Sequence, residues 1–408
     1  MSNKNKALLV PKLRFPEFRG AEGWSRKRLK DACEVNPSSS ALPAMFVYID
    51  LESVEAGKLT ARKVIAIDDA PSRAQRLLHP DDVIFQIVRP YQRNNFHFKA
   101  SDGLEYVAST GYAQLRAKDS ADFLYQAVHV DGFVDRVIAK CTGSSYPAIN
   151  SSDLAEVPLA LSKPDEQKKI ADCLRSLDEL IAAQARKVDA LKTHKKGLMQ
   201  QLFPREGETQ PRLRFPEFRD SGKWKKMTLG SAANFYNGRA YKQEELLEAG
   251  KYKVLRVGNF FTNNNWYHSN LELDETKYCE DGDLLYAWSA SFGPRVWRGE
   301  KTIYHYHIWK VVEQPSIDKQ FLFIVLEHET ERMKAKTTNG LGIMHITKGA
   351  IESWESAFPD VAEQRKIAER LVNLDISISS EARKLEFLAE HKKGLMQQLF
   401  PSIDDIEV

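Results

Sequence analysis

At 408 residues the chain is longer than one average domain, and its 42% apolar content is enough to build cores, which excludes a disordered chain. Its 59 basic and 56 acidic side chains nearly cancel to +3, which excludes a histone-like polyelectrolyte but leaves room for a local basic face. The four cysteines (Cys33, Cys141, Cys173 and Cys279) form no Cys-x-x-Cys pair, the first nine residues lack the apolar segment of a signal peptide, and the longest apolar run, 321–326, is too short to span a bilayer. A reduced, cytoplasmic protein with no membrane partner is the expectation.

The chain opens with Pro-Lys-Leu-Arg-Phe-Pro-Glu-Phe-Arg at 11–19, followed by Trp24. Residues 46–115 alternate apolar and β-branched segments with turns, as at 83–88, and predict strands. Beside them lie polar and aromatic candidates for nucleic-acid contact: Ser72, Arg73, Arg89, Tyr91, Arg93, Asn94 and Asn95. Arginine can fork to guanine and asparagine can pair with an adenine edge, so such a cluster favours base readout. Residues 123–139 predict a helix. The run 142–149, Thr-Gly-Ser-Ser-Tyr-Pro-Ala-Ile, adds Ser144 and Tyr146.

Pro164 with Asp165 and Glu166 marks a helix start, with acids facing the dipole. From there a heptad stripe runs through Ile170, Leu174, Leu177, Ile181, Gln184, Val188, Leu191, Lys195, Leu198 and Leu202, and Pro204 ends it. At about 1.5 Å per residue this is a rod of roughly 50 Å. So narrow and long a stripe predicts pairing with another helix.

The pattern then repeats. Residues 211–219 restate 11–19 with one change, and Trp224 follows. Strands are predicted across 252–312 and a helix across 319–336. The candidates here are Arg239, Tyr241, Arg256, Asn259, Trp266, Tyr267, Ser289, Ser291 and Arg295. Glu-Gln-Lys-Lys-Ile-Ala at 166–171 returns as Glu-Gln-Arg-Lys-Ile-Ala at 363–368, and 194–204 returns letter for letter as 391–401. The second stripe is Ile367, Leu371, Leu374, Ile378, Glu381, Leu385, Leu388, Lys392, Leu395 and Leu399, with polar breaks at the same two places as the first. The middles, 25–145 and 225–340, share no run that aligns. One scaffold therefore carries two different working surfaces.

The expected fold is α+β with a pseudo-two-fold internal repeat. Two globular domains, 1–162 and 205–358, are joined by two long antiparallel coiled-coil helices, 163–204 and 359–408, the latter with a short acidic tail. No dinucleotide or triphosphate loop, zinc-protease motif or nucleophile elbow occurs, so the chain reads as a binder without catalytic residues or a metal site.

The repeated ends, the two closing Gly-Leu-Met-Gln-Gln-Leu-Phe-Pro runs and Thr142–Ile149 together resemble the DNA-specificity subunit of type I restriction–modification systems, over nearly the whole chain. The second repeat departs at 339–346, Asn-Gly-Leu-Gly-Ile-Met-His-Ile. The resemblance implies that each middle is a target-recognition domain reading one half of a split, asymmetric site on double-stranded DNA, and that the helices set the spacing. It implies two modification (methyltransferase) subunits and restriction (translocase/nuclease) subunits as partners. S-adenosylmethionine, ATP and Mg are expected on those partners and none in this chain.

Overall fold

The computed structural model describes residues 9–39, 41–99, 102–261, 263–289, 292–337 and 346–403. The chain folds as two compact units: one holds the residues up to 186 and those from 383 on, the other holds 187–382. Each long helix, Pro164–Leu202 and Val361–Leu399, is thus shared between units.

In the first unit one sheet runs Lys63–Ala66, Met45–Ile49, Tyr106–Ser109, Ala74–Leu77, and a second runs Cys33–Val35, Tyr112–Ala117, Val83–Gln86, Phe96–His97. In the second unit the orders are Tyr267–Ser269, Tyr252–Leu255, Thr302–Tyr304, Tyr278–Cys279 and Ala233–Asn237, Ile308–Glu313, Leu284–Ala287, Gly293–Val296. In these four-stranded sheets the topologies match strand for strand, including a parallel strand pair in each, Met45–Ile49 with Tyr106–Ser109 and Tyr252–Leu255 with Thr302–Tyr304. The middles that share no alignable run therefore share a fold. Short β-branched and aromatic strands need only the right alternation, not the same letters.

A further two-stranded ribbon in each unit pairs the segment after the conserved tryptophan with the strand before the long helix, Ser25–Arg28 with Pro158–Leu161 and Lys225–Thr228 with Glu355–Phe358. The helix expected at 123–139 is two helices, Ala121–Ala127 and Asp131–Ala139. The chain turns at Val128–Val130, where Val130 takes an extended conformation ahead of the acid at the second helix's start. Its counterpart in the second unit, Lys319–Thr337, is continuous.

The repeated motifs prove to be a clamp. Arg14 donates from Nε and Nη2 to Glu166 at 2.7 and 2.8 Å, and its guanidinium also holds the carbonyls of Ala21 and Glu22. Arg214 does the same to Glu363, at 2.7 and 2.6 Å, with the carbonyls of Ser221 and Gly222. Arg14 and Glu166 are 7% and 3% exposed, a buried bidentate pair in which each guanidinium nitrogen has a partner.

Every position of both heptad stripes is buried or half-buried. The stripe does two jobs. Its early residues join the core of the adjoining globular part: Ile170, Ala171 and Leu174 in the first unit, Ile367, Ala368, Leu371 and Leu374 in the second. Its late residues join the other core. Leu395, Met396, Leu399 and Phe400 belong to the first unit, and Leu198, Met199, Leu202 and Phe203 to the second. Aromatic triads mark these junctions. Trp24, Phe123 and Phe400 lie with centroids 5.4–5.8 Å apart; Trp224, Phe321 and Phe203 lie 5.7–6.1 Å apart.

Between these ends the helices pair. In the second unit Lys187 reaches Glu381 at 2.5 Å and Lys195 reaches Asp375 at 2.7 Å, so one chain rises as the other falls and the pairing is antiparallel.

Candidate nucleic-acid interface

In the first unit a run of backbone hydrogen bonds lays five loop segments side by side. Thr110 N–H donates to Arg73 O, Ile87 to Gly111 O, Ile149 to Ile87 O, Arg89 to Pro147 O and Ala148 to Thr142 O. The segments carrying Ser72, Arg73, Arg89, Tyr91, Ser144 and Tyr146 therefore form one rim. Arg89 lies over the Tyr146 ring at 4.3 Å, and Tyr91 and Tyr146 are 50% and 63% exposed. Ser72, Arg73 and Ser144 are also exposed.

The loop of Arg89–Asn95 is strained and braced. Arg89 and Arg93 both take left-handed backbone, φ 55° and 56°, on either side of the turn Pro90–Gln92. Such residues cost about 1 kcal/mol each and persist where surroundings hold them. Arg93 is held by Asp131 at 2.7 Å and by the His129 carbonyl. Asn94 accepts from Ala56 N–H and donates its own N–H to Gln86. Asn95 is 1% exposed; its Oδ1 accepts from Gln86 N–H, and its Nδ2 lies 3.3 Å from His129 Nε2. Arg93, Asn94 and Asn95 are thus each tied into the unit through at least one polar group. They shape the loop, while the half-buried Arg89 stacks on Tyr146 and Tyr91 is exposed.

The second unit builds its rim in the same way. Trp288 N–H donates to His307 O, Ile346 to Trp288 O, His305 to Leu255 O, Arg239 to Tyr304 O and Tyr306 to Arg239 O. Two of these bonds correspond to bonds of the first unit. Ile346 on Trp288 matches Ile149 on Ile87, and Trp288 on His307 matches Ile87 on Gly111.

The sequence candidates divide here as well. Arg239 forks onto Glu245 at 2.7 and 2.9 Å, which holds its guanidinium above the ordinary range, and it lies over the half-buried Tyr241 ring. Asn259 donates to the carbonyls of Asn263 and Asn265 and so closes its own turn. Arg256 stacks on Tyr267 at 4.2 Å, Lys253 lies over Trp266, and the exposed Arg295 lies over Phe261 at 5.1 Å. Ser289 is half-buried, and Ser291 lies outside the described residues. Of the run 339–346, only Ile346 is described.

Sequence reasoning passed over one cluster. His305, Tyr306 and His307 fill the turn between Thr302–Tyr304 and Ile308–Glu313, with ring centroids 4.0–4.8 Å apart. Tyr241 stacks on His305, and Trp288 meets His307 edge-on at 4.8 Å. Burial, then the neighbouring His307 and Arg256, pushes the His305 imidazole down to about 4; burial also lowers His307. Both rings are therefore neutral near pH 7 and can each donate and accept. The available signal was Tyr-His-Tyr-His at 304–307, an aromatic–histidine run between two strands.

Among the described residues, no group of three or more His, Cys, Asp or Glu is placed to hold a metal, and no helix is long and apolar enough to cross a membrane.

The family model for the type I restriction modification DNA specificity domain matches the chain twice, at residues 21–193 and 221–390. The MjaVIII specificity subunit of a type I restriction enzyme from Methanocaldococcus jannaschii is 25% identical over 276 residues, 63% of this chain and 64% of that protein. The EcoBI specificity subunit from Escherichia coli is 22% identical over 43% of this chain and 37% of its own length. These alignments span less than two thirds of either relative. Among solved structures, the S subunit of a type I restriction–modification system from M. genitalium covers 97% of this chain at TM-score 0.57 and 16% identity. A chain from a study of assembly and conformational transition in the type I R-M system covers 93% at TM-score 0.58 and 22% identity. At those identities the likeness is one of fold.

Proposed function

Because the chain belongs to the family of type I restriction modification DNA specificity domains, which it carries twice, we propose that it is the sequence-reading component of a DNA modification and restriction assembly. Each unit reads one half of a bipartite, asymmetric target on double-stranded DNA. One observation carries this reading: matching folds present two rims of equivalent construction that display different side chains. Arg89, Tyr91 and Tyr146 on one rim, and Arg256, Tyr267 and Tyr306 on the other, combine cations for phosphate with groups for base edges.

The chain itself is non-catalytic. Methyl transfer and cleavage fall to two modification subunits and to restriction subunits, which carry S-adenosylmethionine, ATP and Mg. The paired helices act as a spacer between half-sites.

The test is a genome-wide map of methylated adenines in cells with and without this chain. The expected result is one split motif, with two unlike halves at a fixed gap, that disappears with the chain. A map that does not depend on the chain overturns the proposal. In solution, the affinity of the assembled complex for DNA should fall steeply with salt, with a log–log slope of about −0.9 per phosphate contacted.

A further inference from the structure

The two rims share a strand topology and two equivalent backbone bonds, yet they differ in which loop stands out. In the first unit the segment 87–95, between Val83–Gln86 and Phe96–His97, is long, strained and tipped by Tyr91. The turn after Tyr106–Ser109 is only Thr110-Gly111. In the second unit the proportions reverse. The segment 288–292 is short, and the turn after Thr302–Tyr304 grows to His305-Tyr306-His307.

That turn sits on a rigid platform. A Cβ on Gly238 would lie 2.3 Å from the His305 carbonyl, so the 238–241 segment presses directly beneath it. Tyr306 is bonded through its backbone to Arg239, and Trp288 Nε1 donates to the Tyr306 carbonyl at 2.7 Å. Below it, Trp288, Trp309 and Tyr286 stack in a column, centroids 5.8 and 5.9 Å apart, that runs from rim to core. His305 Nδ1 lies 3.5 Å from the His307 N–H, so His305 is engaged within the turn. Tyr306 is 39% exposed. Among the described residues, neither the Tyr306 hydroxyl nor the His307 ring makes a hydrogen bond within the unit, and the same holds for the Tyr91 hydroxyl. Exposed polar atoms held on a braced support are the arrangement that recognition requires.

We propose that the two units read DNA through different loops of one shared rim: the first through Arg89 and Tyr91, the second through the His305–His307 turn, with Tyr306 and His307 as specificity-determining residues on base edges. This rests on the DNA-reading function proposed above.

The test uses the full chain co-expressed with its modification subunits and a random pool of duplex DNA, from which bound sequences are recovered. Tyr306→Phe and His307→Gln, which keep the packing, and Tyr306→Ala should each relax selection at one or more positions of one half-site, by about five- to a hundredfold. The other half should stay intact. Tyr91→Ala should relax only the opposite half. A wild-type motif retained at full selectivity by the Tyr306 and His307 variants, each melting with the wild type, overturns the loop assignment alone. A wild-type complex that selects no sequence overturns the DNA reading with it.

Discussion

Lys392 donates to both carboxylate oxygens of Asp178, at 2.7 and 2.8 Å. The same bond recurs with the partners exchanged between helices, Lys195 to Asp375 at 2.7 Å, because 178 and 375, like 195 and 392, are equivalent positions. The lysine breaks in the two heptad stripes are therefore one device used twice. Asp178 also accepts from Gln126, and Lys195 also approaches Glu327, so each pair ties the helices to a globular part.

Reversing one pair tests whether it sets register. Lys392→Asp alone faces Asp178 with a like charge and should destabilise the first unit by about 1 kcal/mol, the upper range for a partly exposed pair. Adding Asp178→Lys should restore most of that loss. The measurement is a double-mutant cycle from denaturant melts; a coupling energy indistinguishable from zero would remove the pair as a register device.

Phe400 lies in the second repeat by sequence but packs on Trp24 and Phe123 of the first unit. Phe400→Ala should cost about 3–5 kcal/mol, as for other buried aromatics. The loss should appear in the first unit, followed by Trp24 emission in a chain whose other tryptophans are replaced by Phe. Destabilisation confined to the second unit would contradict the composite core.

Acid should loosen the Arg89–Asn95 loop of the first unit. Burial pushes the His129 imidazole down to about 4 from an ordinary 6.5, with the charges of Lys392 and Arg93 acting in the same direction. Its Nδ1 lies 2.6 Å from the Tyr125 carbonyl and must donate, which leaves Nε2 to accept from Asn95. The unfolded chain takes up this proton near pH 6.5 and the folded unit only near 4, so stability is full above 6.5 and falls as pH drops through that window. His97, His305 and His307 are lowered too, so wild type and His129→Gln must be compared. His129→Gln should flatten part of the decline; identical pH curves for the two proteins would refute this assignment.

Lengthening both helices tests the spacer. Seven residues inserted after Arg186 and after Arg383, equivalent positions beside the unit boundary, keep the heptad phase and add about 10 Å. At about 3.4 Å per base-pair step the gap between half-sites should widen by about three pairs. An unaltered gap in the methylation map would sink the spacer role.

What could be read in advance followed from how strictly each feature constrains its letters. The clamp needs Arg14 and Glu166 themselves, since only a planar fork meets a carboxylate bidentately, and so it survives as a visible motif at both ends of each repeat. The stripe needs only apolar residues at a fixed period and was equally plain. The matching sheets were hidden, because Val83–Gln86 and Leu284–Ala287 are equivalent strands that share pattern but little sequence. Composition flagged Arg93 and Asn95 as readers. Only their partners, Asp131 and Gln86, show that both side chains are also tied into the loop itself. The late stripe residues gave no hint of which core they enter, since periodicity identifies a buried face but not the surface that buries it.

Leu13 N–H donates to Gln398 O at 3.0 Å, and Leu213 N–H donates to Gln201 O at 2.9 Å. The second bond spans a short stretch of continuous chain; the first joins residues from opposite ends of it. The two bonds are equivalent seams, one in each unit, and one of them is covalently stitched by a short link. A chain cut within 204–208 and rejoined by a linker from the end of the second helix to Leu9 would keep every interaction described above. Its first-synthesised domain would then be the other unit. The order in which the two units leave the ribosome is thus separable from the fold that each adopts.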